Sequence, residues 1–203
     1  MSLSEDIAIA IAGIPSDLDE FARIGEICRR LAALPGVRRG RNTQALYCRE
    51  HKIVRGPTEH LRGLEQKLQV VRAIPVEICP EPVSLIAAGP RGQQGILLVR
   101  YPACAGETLV PGEEAKRPFT DDALERFAAD VRTLADHGYA HVYIRSWYHA
   151  LVSSETGTIV MDDWGALSTG RRNDVTEMLG HLERLLAAEL GGSDESGLPR
   201  GRS

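Results

Sequence analysis

The sequence predicts an α+β protein with a strand-rich first half and a helical second half, on three observations. Apolar residues recur at helical spacing in four separate segments. Short extended runs bounded by Gly, Pro and polar turns cluster before residue 102 and return near residues 148–163. Helices and strands do not alternate regularly, which argues against a doubly wound parallel sheet and for two lobes of different composition.

Taken in order, Ser16 is the expected N-cap of a first helix. Leu18, Phe21, Ile24, Cys28 and Leu31 repeat at helical spacing before Pro35-Gly36 ends it. "TQALYCRE" and "KIVRG" read as strands joined by a tight polar turn near His51. Pro57 and Thr58 open a second helix, with Leu61, Leu64, Leu68 and Val71 on one face. Pro75, Pro80 and Pro82 break the chain into extended pieces. "PVSLIAAGP" and "GILLVRYP" read as buried strands linked by "RGQQ", and "ACAGETLVPGEEAKRP" as a connector. Thr120 caps a long helix with Leu124, Phe127, Ala128, Val131 and Leu134 on its apolar face. Extended segments around "YHALV" and "GTIVMDD" flank the turn "SSETG", and a last helix runs from Asp174 to Leu190. "GGSDESGLPRGRS" has the composition of a disordered tail. The expected units are a helical extension (1–35), a strand-rich unit (36–102), a helical unit (103–190) and the tail (191–203).

At 203 residues and 43% hydrophobic, the chain can bury a core without metal or disulfide staples. A net charge of −4 speaks against a broad basic nucleic-acid surface, and the cluster Arg38, Arg39 and Arg41 reads as a solvated face. Cys28, Cys48, Cys79 and Cys104 form no C-x-x-C pair, and the six histidines form no H-E-x-x-H pattern. Neither set has zinc-site spacing, and the cysteine usage favours a reducing compartment. "IAIAIAGI" is too short to span a bilayer and lacks the basic flank and cleavage pattern of a leader. The expectation is a cytoplasmic protein with neither a membrane nor a nucleic-acid partner. No G-x-S-x-G elbow or Cys/His nucleophile signature occurs, and Trp147, Tyr148 and Trp164 are expected to pack in the core.

The stretch "LADHGYAHVYIR…HALVSSETGTIVMDDWG" resembles the protein-kinase-like fold, in the reduced form of small bacterial kinase-like proteins. Leu134, Gly138 and His141 match the entry to that family's catalytic loop, and Asp163-Trp164-Gly165 matches its metal-binding triplet. "GILLVRYPACAGETL" is similar to the last N-lobe strand running into the hinge. The resemblance spans residues 36 to 165 and implies a two-lobed fold with a strongly reduced C-lobe. It implies ATP and Mg²⁺ as cofactors, with Asp163 as the metal ligand and Asp162 as its neighbour one register away. The phosphate-binding residues it implies are Lys52 or Arg55 on a strand, Glu65 on the following helix, and Gly40 and Asn42 in the preceding turn. Lys52 and Arg55 are three apart and so lie on opposite faces of the strand.

The family's loop acid is absent. Its place holds Tyr143, and the place of the second metal ligand holds Tyr148. A shift by one residue substitutes Ile144 and His149, again without a carboxylate. The first implied function is therefore a pseudokinase-type nucleotide-binding or regulatory module with a protein partner. The second is an atypical phosphotransferase using His149 or Asp162 in place of the acid. A third, outside the family, is a small α+β interaction protein.

Overall fold

A computed structural model describes residues 2–40, 46–88, 93–115 and 119–191. The fold is α+β: a five-stranded antiparallel sheet with helices on both faces, followed by two long helices and two small sheets. Its first element is α1 (Leu3–Ala12). The Ile-Ala alternation of this run suits a strand as well as a helix. A capping box decides for helix: Ser2 Oγ accepts from Glu5 N, and Glu5 Oε2 accepts from Ser2 N at 2.7 Å. Ile7 and Ile11, one turn apart, are buried, while Ile9 is exposed.

In α2 (Glu20–Ala32) the cap is Asp19, not Ser16: its carboxylate accepts from Ala22 N at 2.8 Å. The buried seam is Arg23, Ile27 and Leu31, and Phe21 lies 89% exposed, contrary to the expected apolar face. Arginine chemistry sets this phase. Arg23 Nη2 donates to the carbonyls of Ser16 and Leu18, fastening the loop before the helix. Arg30 donates to the carbonyls of Ala10 and Gly13, satisfying the C-terminal end of α1.

The sheet comprises β1 (Arg38–Arg39), β2 (Leu46–Cys48), β3 (His51–Pro57), β4 (Glu81–Ala88) and β5 (Gln94–Arg100), in the order β1-β2-β3-β5-β4. A two-residue turn at Arg49-Glu50 pairs Cys48 with His51 and Tyr47 with Lys52. Pro82 sits at a register shift on β4, the edge strand, where a missing N–H is tolerated. Between β3 and β4 runs α3 (Thr58–Val71), with Leu61, Leu68 and Val71 buried. Strand alternation gives the sheet two apolar faces. Ile53, Ile96 and Leu98 meet Ile7, Ile27 and Leu31 of α1 and α2, while Leu97, Val99 and Tyr47 join the larger core with α3.

That larger core continues into the second half. Thr120 caps α4 (Asp121–Asp136), whose Leu124, Phe127, Ala128, Val131 and Leu134 are all buried. A three-stranded sheet, β6-β8-β9, contains β6 (Leu109–Pro111), β8 (Ala150–Ser153) and β9 (Ile159–Met161). Two further short strands, β7 (Tyr139–His141) and β10 (Leu167–Thr169), pair with each other. They were not anticipated, because three-residue strands carry no periodic signal. The final α5 (Arg172–Gly191) brings Met178 and Leu182 onto this core. Residues 192–203, expected as a tail, lie outside the described residues, and so does the first half of the "RGQQ" turn. Among the described residues no helix is long and apolar enough to cross a membrane.

Leu31 is fully buried and Phe21 almost fully exposed. Leu31→Ala should therefore lower unfolding free energy by roughly 2–5 kcal/mol, and Phe21→Ser should change it by less than about 0.5 kcal/mol. Urea titration of the two variants checks this.

Candidate functional site

A cavity of about 300 Å³ lies where the sheet meets the end of the β8–β9 hairpin. Gly40, Tyr47, Lys52 and Arg55 line it from the sheet side. The other wall comes from Glu113, Tyr148, His149, Asp162 and Asp163. The two walls are far apart in sequence, so their meeting is a product of the fold.

Asp162 is fixed from every side. The residue before it, Met161, donates its N–H to Ile78 O at 3.1 Å, and its carbonyl accepts from Tyr101 Oη and Trp164 Nε1. Asp162 N donates to His149 O at 2.8 Å, and Asp162 O accepts from His141 Nε2 at 2.6 Å. Its carboxylate then accepts from Lys52 Nζ, from Asp163 N at 2.8 Å and from Tyr47 Oη at 3.2 Å. Lys52 and Asp162 form an ion pair in which both side chains are mostly buried. Burial alone would push the Asp162 carboxyl up. The Lys52 charge and these donors outweigh it and hold the group below the ordinary carboxylate range. Burial and the Asp162 charge push the Tyr47 phenol up, so Tyr47 stays protonated and remains a donor.

The next residue behaves differently. Asp163 has φ 56° and ψ 50°, the left-handed region that Asp adopts more readily than most residues. This turn separates the two neighbouring carboxylates. Asp162 points its oxygens at Lys52, whereas Asp163 is exposed, lines the cavity and makes no side-chain hydrogen bond or ion pair among the described residues. Trp164 is buried behind them, edge-on to His141 with ring centroids 5.4 Å apart. His141 is itself buried, which lowers its pKa against the opposing pull of the Asp162 carbonyl and nearby carboxylates. Donation to that carbonyl requires the proton on Nε2.

The His149 ring stacks on Tyr143 at 4.6 Å and 22°, with Tyr148 edge-on at 4.9 Å. Tyr148 is exposed, contrary to the expectation that it packs in the core. A close backbone approach holds this turn against the connector: a Cβ added at Gly112 would lie 2.5 Å from Trp147 O. Trp147 is anchored by Phe119, Phe127 and Glu189.

Of the sequence-nominated residues, Gly40, Lys52, Arg55, His149, Asp162 and Asp163 line one cavity. Asn42 lies outside the described residues. Glu65 is half-buried on α3 and does not line it; the partner of Lys52 is Asp162. The α3 side chain beside Lys52 is Leu64, which with Leu68 and Trp164 borders a smaller space of about 100 Å³. Lys52 faces Asp162, and Arg55 stands on the opposite face with Ile53, toward α2. No family model and no curated protein matches the chain.

Sequence reasoning missed Tyr47. Folding "LYCREHK" as a hairpin about Arg49-Glu50 puts Tyr47 opposite Lys52, so its place was readable once the turn was fixed. Above its ring sits Arg38, 5.5 Å from the centroid.

An unfolded aspartate titrates near pH 3.9, and Asp162 in the fold titrates lower. Its pairing therefore stabilises fully above about pH 4 and is lost as pH falls through the folded value. Asp162→Asn should cost about 3 kcal/mol at neutral pH by leaving Lys52 without a counter-charge. It should also flatten the decline of stability below about pH 4, read as urea midpoints across pH. An acid limb identical to that of the parent would contradict this assignment.

Proposed function

We propose that this chain binds a nucleoside triphosphate with Mg²⁺ in the cavity between the sheet and the Asp162-Asp163 turn, as a kinase-like binding or regulatory module. The observation that carries this reading is the convergence of Lys52, Asp162 and Asp163 on one cavity. Lys52 stands on the third strand of a five-stranded sheet and is followed by a helix, as the resemblance to the kinase-like fold requires of a phosphate-binding lysine. Asp163 occupies the triplet position that resemblance assigns to the metal.

The residues present suit Mg²⁺ bound together with phosphates. Among the described residues no group of three or more His, Cys, Asp or Glu forms a metal cage. Mg²⁺ typically takes one or two carboxylates and completes its shell with water and phosphate oxygens. Asp163, exposed and without a side-chain partner, would hold it directly, with Asp162 behind it. The ion would supply neutralisation of charge on the phosphate oxygens. Lys52 would exchange part of its contact with Asp162 for a phosphate oxygen, and Gly40 would leave room for the phosphates beside β1.

Binding without transfer follows from the acceptor side. The place of the loop acid holds Tyr143, exposed and stacked on His149, in place of a carboxylate. One observation favours a second reading, an atypical phosphotransferase: the His149 imidazole lines the cavity and is held in place by two tyrosines, so it is positioned to accept a hydroxyl proton.

ATP with Mg²⁺ should raise the melting temperature, by an amount equivalent to about 2.7 kcal/mol at a hundredfold excess over Kd. Asp163→Asn should remove most of the Mg²⁺-dependent part. A titration flat into the millimolar range would overturn the binding site and leave an α+β interaction protein. With γ-labelled ATP, label transfer above that of Asp163→Asn would replace the binding module with the transferase, and its loss in His149→Gln would assign the base.

A further inference from the structure

Arg55 is the one sequence-nominated cation that the proposed function leaves idle, and its surroundings differ from those of Lys52. Strand alternation turns it to the Ile53 face of β3. There, α2 crosses the ends of β3 and β5 and leaves a slot of about 310 Å³. Ile24 and Ile27 of α2 form one wall and Pro57 another. Gly56 leaves bare backbone, since a Cβ at this position would meet nothing within 4 Å.

Arg55 is half-buried and has no hydrogen bond or ion pair among the described residues. Other arginines of this region are satisfied: Arg29 and Arg30 share Glu26, and Arg23 holds loop carbonyls. An acid is at hand in the same slot, but it is engaged by a neighbour there. Glu20 Oε1 accepts from the buried Gln94 Nε2 at 2.8 Å. Burial is accordingly the sole influence on Arg55 and lowers its pKa from the ordinary value. A half-buried guanidinium that makes no ion pair, at the edge of an apolar slot, can take an anion.

We propose that this slot, which shares Arg55 with the lining of the phosphate cavity but otherwise has its own walls, is a second binding site for a small aliphatic monocarboxylate whose headgroup is taken by Arg55. The planar fork binds a carboxylate through two parallel N–H donors, and Ile24, Ile27 and Pro57 cover the tail. The Glu20 carboxylate in the lining disfavours a dianion, so inorganic phosphate is the poorer ligand. The slot, open on one side, holds on the order of ten water-sized units, which matches a short chain rather than a full lipid.

The test is a titration of the full chain with butyrate, hexanoate and octanoate, read by amide shifts of Gly56 and Gly95. Affinity should rise roughly fourfold for each methylene added until the slot is full. Hexylamine and inorganic phosphate should produce no comparable shifts. Arg55→Gln should weaken hexanoate at least tenfold, and Arg55→Lys should retain part of the binding. Ile24→Trp, which fills the slot without touching the charge, should abolish it. Asp163→Asn should leave hexanoate binding unchanged while impairing nucleotide binding, so either site can fail without the other. Equal affinity in Arg55→Gln, or equal response to hexylamine, would overturn the assignment. So would affinity independent of chain length.

Discussion

One buried ion pair, Lys52 with Asp162, ties the third strand of the sheet to the end of a hairpin 110 residues later. Neither partner would tolerate its position alone. A mostly buried ammonium without a carboxylate, or the reverse, costs several kcal/mol. The remaining groups around Asp162 serve to keep that pair well formed. Tyr47 takes the second carboxylate oxygen, Asp163 N shares the first, and His141 and His149 hold the backbone on either side. The cavity has the walls it has because this pair fixes their separation.

The left-handed turn at Asp163 divides labour between two adjacent acids. The same backbone step that turns Asp162 toward Lys52 leaves Asp163 facing solvent within the cavity. One carboxylate is thereby spent on architecture and the other remains available to a ligand. Asp162 has little capacity left for a second role, because Lys52, Tyr47 and Asp163 N already take three of the roughly four acceptor sites of its carboxylate.

Much of the architecture was legible where periodicity was long and unambiguous. The apolar faces of α3 and α4, the β4–β5 pair and the hairpin before Asp162 follow from spacing and turn residues. Where two periods coincide, spacing alone does not decide: the Ile-Ala run lies in the expected helical extension, but it suits either structure until the Ser2–Glu5 cap is recognised. On α2, apolar spacing pointed to Phe21, but the hydrogen bonds of Arg23 and Arg30 set the rotation of the helix. The site residues were legible as a set but not in their pairing. Glu65 is one position from Leu64, and a helix turns about 100° between neighbours, so a small error in phase moves a carboxylate off the cavity wall. Likewise, nothing in "DDWG" says which aspartate meets the lysine, because that depends on one backbone dihedral.

The larger apolar core does not stop at the cavity. Val99 of the sheet, Leu68 of α3, Val152 of the hairpin and Phe127 of α4 belong to one uninterrupted cluster. Opening the two walls like a jaw would therefore tear side chains from a close-packed interior, which resists partial separation. Access to the cavity would instead depend on rearrangement of mouth residues such as Tyr148 over a rigid frame. A cavity framed in this way has a floor shaped in advance, and a molecule entering it would find little freedom left to be lost.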